Sequence, residues 1–139
     1  MIILLFIVIV VAAFALTRKY DHITPVLIDI HWLPVTLRIR YKLLLLIYKC
    51  LHTGEPSYFV ERLTPYVPAR TLRSSNENLL KPVCFKLESY GKRSFKVIAP
   101  MLWNELPHKA RSAETLDSFK RTLKEDLFKL FIKSPHEYM

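Results

Sequence analysis

The side chains able to do chemistry are dispersed along the chain. Five histidines, His22, His31, His52, His108 and His136, fall without the HxxxH or HExxH spacing that sets two ligands on one helix face for a metal ion. His31 stands next to Trp32 and reads as a structural residue, half-buried against that aromatic. The only adjacent acids are Glu125 and Asp126, flanked by lysines at helical spacing, so a solvated helix face accounts for them better than a pair of carboxylates trading protons or holding metals. Ser74 and Ser75 lack both the GxSxG elbow and a lysine in register that would activate a nucleophile, and they read as turn residues. Cys50 and Cys84 form no CxxC, which argues against a zinc ribbon or a thiol redox motif. Cys50 sits in an apolar helical run and reads as a buried free thiol. Two glycines, Gly54 and Gly91, are too few for a phosphate-cradling loop, which excludes P-loop nucleotide hydrolysis. No catalytic residue, metal ligand, cofactor site or small-molecule substrate site is expected, and the chain reads as no enzyme.

One constellation remains, and it is a binding surface. Between Arg62 and Lys96 eight basic side chains face only two acidic ones, Glu77 and Glu88, so most of the net charge of +9 gathers here. Arg70, Arg73, Lys92 and Arg93 are interleaved with Tyr66, Phe85, Tyr90 and Phe95. Cations can neutralise phosphates while aromatic faces stack on unpaired bases. Arg70, Arg73, Tyr90, Lys92 and Arg93 are therefore the candidate nucleic-acid-binding residues, for single-stranded RNA or DNA held through its backbone. A plain solvated basic surface is the other reading of the same residues, and both stay open.

The elements that must position this surface are helical. Residues 24–33 carry Thr24 as a cap and Pro25 at the first helical position, with Pro34 as the stop. Residues 36–51 are apolar nearly all round from Leu43 to Tyr48, with Arg38, Lys42 and Lys49 on one stripe, and predict the central buried helix, ended by Gly54. Pro56 starts a shorter helix, SYFVERL. Residues 64–93 are broken by three prolines and a Ser-Ser-Asn cluster, which predicts loop; the runs 79–83 and 85–87 are compatible with a small hairpin. Residues 94–106 predict a helix interrupted by Pro100, with Phe95, Ile98, Leu102 and Trp103 on one side. Residues 115–131 space Leu116, Phe119, Leu123, Leu127 and Leu130 by three and four, with Asp117/Arg121 and Glu125/Lys129 as pairs on the wet face. The expected class is mostly α: a small helical domain over 17–133 with a basic, loop-rich middle, followed by a disordered tail at 134–139.

Residues 1–16 contain no polar side chain. As a helix they reach about 24 Å, short of the roughly 30 Å hydrocarbon core of a bilayer. The segment has no basic lead-in, ends near an Ala13-Phe14-Ala15 cleavage-like site and is followed by Arg18 and Lys19. That asymmetry favours an uncleaved anchor, with the basic domain in the cytosol, over a cleaved signal. Location at a membrane is expected if the segment is used, and nuclear or cytoplasmic location otherwise. A small single-pass membrane protein is thus the alternative reading.

Six blocks in one order, RKYDHITPVL, IHWLPV, YKLLLLIYKCLHTGEPSYFVERLTPY, RTLRSSN, SYGKRSFKVIAPMLWNELP and LDSFKRTLKEDLF, resemble the extreme C-terminal region of LINE-type (non-LTR) retrotransposon reverse transcriptase polyproteins. The resemblance covers about residues 12–131. In that family the polymerase, with its Tyr-x-Asp-Asp metal-binding turn, lies upstream; no YxDD occurs here, so the resemblance transfers no catalytic residue. It implies a helical segment that helps hold template RNA or target DNA, and Arg70, Arg73, Lys92 and Arg93 fall within its blocks. Val11-Ala12-Ala13 matches the family's Ala-rich approach, whereas MIILLFIVIV is foreign to it, which suggests a truncated copy read as a separate gene.

Overall fold

The computed structural model describes residues 24–68, 70, 77–85, 91 and 93–135. The apolar residues 1–16 lie outside it. Six helices make up the described architecture: α1 (Thr24–Asp29), α2 (Val35–Thr53), α3 (Ser57–Val60), α4 (Phe95–Asn104), α5 (His108–Arg111) and α6 (Leu116–Lys133). The protein is mostly helical, as its periodicities predict. Among the described residues no helix is long and apolar enough to cross a membrane.

The chain divides into two compact units, one formed by the described residues before Ile39 and from Leu127 on, the other by Ile39–Asp126. In the first unit, α1 stops four residues earlier than residues 24–33 suggest. His31 takes a left-handed backbone (φ 52), Trp32 N–H bonds to Leu27 O at 2.8 Å and His31 N–H to Ile28 O at 3.1 Å. These are the 6→1 and 5→2 bonds of a Schellman stop, which ends a helix before any proline is needed. The His31 ring then stacks on Phe128, with centroids 4.9 Å apart, and not on Trp32 as its sequence position suggests. Trp32 instead lies under the Arg38 guanidinium, 5.3 Å from its centroid. Leu27, Leu33, Leu37, Leu127 and Phe131 are the buried apolar side chains here.

The second unit holds the larger core. From α2 it buries Leu44, Ile47, Tyr48 and Cys50, while Leu43, Leu45 and Leu46 stay partly exposed, so α2 is buried on one face and not all round. Arg38, Lys42 and Lys49 are exposed along α2, as their spacing predicts. Gly54 sits at φ 71 just past Thr53 and closes the helix, also as expected. From α6 come Phe119 and Leu123, and the stripe continues at steps of four through Leu127 to Phe131. Leu130 falls off that stripe and is exposed. Asp117 pairs with Lys120 at 3.0 Å, three residues on, in place of Arg121.

Helix α4 is continuous through Pro100 and uninterrupted. Proline removes one donor, yet the ring is itself part of the core, beside Val97, Ala99 and Trp103. The buried stripe is therefore Val97, Pro100 and Trp103: of the expected side Phe95, Ile98, Leu102 and Trp103, only Trp103 lies on it, and the other three are partly buried. Tyr48 stacks on Phe119 at 4.3 Å and donates its hydroxyl to Ala113 O at 2.8 Å. Burial pushes the Tyr48 phenol and the Cys50 thiol above their ordinary pKa values, so the neutral forms are favoured, in keeping with Cys50 as a free, buried thiol.

Residues 77–85 carry no strand, and residues 86 and 87 of the expected hairpin lie outside the described residues. Leu80 forms an isolated antiparallel bridge with Pro65 instead, through Tyr66 N–H to Leu79 O (2.9 Å) and Lys81 N–H to Thr64 O (2.8 Å). Pro65 stands at the non-hydrogen-bonded position of this pair, where its missing N–H costs the bridge nothing, and the N–H and C=O of Leu80 point away from it. Two side chains of α4 complete the hold. Trp103 Nε1–H donates to Asn78 O at 2.7 Å. Asn104 accepts from Leu80 N–H at 2.9 Å and donates to Leu80 O at 2.8 Å. Asn78 accepts φ 50, a left-handed conformation that asparagine tolerates better than most residues. At the far end of α6, Ser134 N–H still bonds to Leu130 O at 3.1 Å, so the first residue of the expected tail continues the helical pattern, and residues 136–139 lie outside the described part.

Asn104→Ala leaves the N–H and C=O of buried Leu80 without partners, and should lower unfolding free energy by about 1–3 kcal/mol in urea titration. Asn104→Asp, which keeps the acceptor and loses the donor, should fall between the two.

Candidate nucleic-acid interface

Of the five candidate residues, Arg70 and Arg93 are described and both are exposed; Arg73, Tyr90 and Lys92 lie outside the described residues. Tyr66 and Phe85 also stand exposed. Phe85 packs on the backbone at Gly91, where a Cβ would lie 3.1 Å from Phe85 Cβ. That close approach explains a glycine at this position and brings the 85 and 91 backbones together, two residues before Arg93.

The feature that the structure assembles lies partly elsewhere. Tyr58 and Phe59 on α3 and Phe95 at the start of α4 form a chain of aromatic contacts, with centroids 4.4 Å apart for Tyr58–Phe59 and 4.3 Å for Phe59–Phe95. The rings are tilted, at 45° and 41°. Together with Arg62, Ser94 and Lys96 they line an open cleft of about 270 Å³. Tyr58 is 62% exposed, although a ring of that size contributes most to stability when buried. Arg62 and Lys96 are exposed as well, and Arg93 precedes Ser94 at the cleft in the chain. The arrangement offers flat π-faces beside exposed cations, which is what a single strand needs: a surface for a base and charges for the flanking phosphates.

Phe95 was expected to contribute, and Arg62 and Lys96 were counted in the basic stretch. Tyr58 and Phe59 do not stand out in the sequence, because SYFVERL reads only as a short helix started by Pro56 and the two rings lie before the basic stretch. A signal was present. In four helical residues, Ser57–Val60, two adjacent rings point about 100° apart and one must face solvent.

Other chemistry finds little support from geometry. Among the described residues no three His, Cys, Asp or Glu side chains gather as a metal site. Cys50 is buried and Cys84 exposed, and both are free thiols. Comparison with known proteins returns no matching family model, no matching curated protein and no matching solved structure.

Proposed function

We propose that the chain is a non-catalytic remnant of a non-LTR retrotransposon reverse transcriptase that keeps a weak, sequence-independent surface for single-stranded RNA or DNA. The observation that carries this reading is the Tyr58–Phe59–Phe95 cluster lining one cleft with Arg62 and Lys96, the two ends of the most basic stretch of the chain. The six sequence blocks support the family reading, and the cleft supports the binding chemistry. Arg70, Arg73, Lys92 and Arg93 of the same stretch of sequence would add positive charge for phosphates, and Tyr90 a further ring for stacking. Phosphate contacts would set affinity, and the exposed rings would hold bases without reading them, since every base has a π-face.

Anisotropy titration of a labelled oligo-dT or oligo-U against salt tests the proposal. Log affinity should fall with log salt by about 0.7 per phosphate neutralised. Replacing Arg62, Arg70, Arg73, Lys92, Arg93 and Lys96 by Ala should flatten that slope for all sequences alike. Tyr58→Ala should weaken binding by about 1–3 kcal/mol while leaving the slope in place, because stacking releases no counterions. Affinity indifferent to salt, or a sixfold variant that binds like the parent, contradicts the proposal.

The apolar run Met1–Leu16, followed by Arg18 and Lys19, favours a second element of the reading: an uncleaved membrane tether with the basic domain in the cytosol. Carbonate extraction of expressed protein should leave the chain in the pellet, and a variant starting at Arg18 in the supernatant. Release of the parent chain by carbonate removes the tether from the account.

A further inference from the structure

Arg111, the last residue of α5, is buried to 6% exposure, and arginine is almost never buried unless it is paired. Its pairing here is poor. Nη2 lies 3.6 Å from Glu77 Oε2, outside hydrogen-bonding distance, and the Glu77 side chain is 43% exposed. Nε and Nη1 are buried with no hydrogen-bond partner among the described residues. A buried guanidinium left in this state carries a desolvation cost that its protein neighbours do not offset.

The same side chain lines a pocket of about 250 Å³, whose wall is otherwise mainly apolar: Leu51, Pro65, Leu80 and Trp103, with His52 as a second nitrogen base. His52 Nδ1–H donates to Tyr48 O at 3.1 Å and its ring stacks on Tyr48 at 3.9 Å, which fixes the imidazole and directs its other nitrogen away from that carbonyl. The pocket is thus a concave, mainly apolar site with a weakly paired cation in its wall, open to a ligand at Nη2 alone because Nε and Nη1 have no accessible surface, and an oriented imidazole from a different helix. Its volume falls below the roughly 300–1,000 Å³ of sites that enclose a whole drug-sized ligand, so the occupant is small.

From this we infer that the Arg111 pocket is a binding site for a small phosphomonoester: the phosphate bonds to the Arg111 guanidinium and approaches His52, while a flat apolar body lies against Leu80 and Trp103. A phosphomonoester monoanion offers acceptor oxygens to the guanidinium and one P–O–H that can donate to His52 Nε2, the acceptor left once Nδ1–H is engaged. A planar carboxylate would satisfy the guanidinium alone. Exposed Glu77 occupies the site electrostatically until the ligand's charge replaces it. The inference does not rest on single-strand binding, because the pocket shares no lining residue with the Tyr58–Phe95 cleft.

Isothermal titration calorimetry on the full chain, with phenyl phosphate, inorganic phosphate and benzoate as probes, tests it. Phenyl phosphate should bind saturably and more tightly than either of the others. Arg111→Met, an apolar replacement that should leave the melting temperature unchanged or raised, should weaken phenyl phosphate by about tenfold or more. Glu77→Gln removes the competing carboxylate from an exposed position and should tighten it, which keeps the inference testable should Arg111→Met fail to fold. A 5′-phosphorylated dinucleotide that binds better than phenyl phosphate supports the site with a nucleic-acid end as source, and one that binds no better supports it with a free phosphomonoester. The inference is overturned if phenyl phosphate does not saturate, if benzoate binds more tightly, if folded Arg111→Met binds like the parent, or if Glu77→Gln brings no gain.

Discussion

Trp103 and Asn104, consecutive residues at the end of α4, hold the backbone of residues 78–80 by three hydrogen bonds. Within the unit Ile39–Asp126 these bonds tie residues 78–80 to α4. Trp103 is 1% exposed, and its ring contributes apolar burial on the scale that dominates core energetics. Its one polar atom must then find an acceptor, and Asn78 O supplies it. Asn104 does for Leu80 what a neighbouring strand would do, meeting both the donor and the acceptor of a buried residue. A loop with little secondary structure of its own is thereby fastened to a helix, and Leu80 becomes a core residue.

The Arg111 pocket follows from this fastening, and the aromatic cleft shares its helix. The Arg111 pocket takes one wall from residues 78–80 and another from Trp103. The aromatic cleft uses the opposite end of α4, where Phe95 meets Phe59. Helix α4 therefore offers its start to one surface and its end to the other, with the buried stripe Val97, Pro100 and Trp103 keeping it in register. Pro100 fits this role: it gives up a backbone donor and adds a rigid ring to the core.

Periodicity made the helices legible, and chain ends and contacts between distant residues escaped it. The run of Phe119, Leu123 and Leu127 is readable because one helix face obeys one period, whereas Leu130 or Phe131 as its last member depends on a drift of a few tens of degrees. The Schellman stop at His31 was invisible because most left-handed caps are glycine, and Pro34 offered a more familiar boundary. The basic stretch was visible as charge, and of its five chosen residues Arg70 and Arg93 stand exposed as a binding role requires. Tyr58 and Phe59 were not visible as site residues, since their partner Phe95 lies more than thirty positions away. Arg111 gave no sign at all, because burial of a lone cation is decided by packing that no local pattern encodes.

The central functional claim is that a single strand lies across the tilted rings of Tyr58, Phe59 and Phe95. Photo-crosslinking of the full chain to an oligonucleotide containing 5-bromouridine, with the adducts mapped by mass spectrometry, addresses it directly. The account predicts adducts concentrated on Tyr58, Phe59 and Phe95 and suppressed by high salt. Adducts that map to other aromatics while these three remain unmodified, or no adduct at any salt concentration, would contradict it.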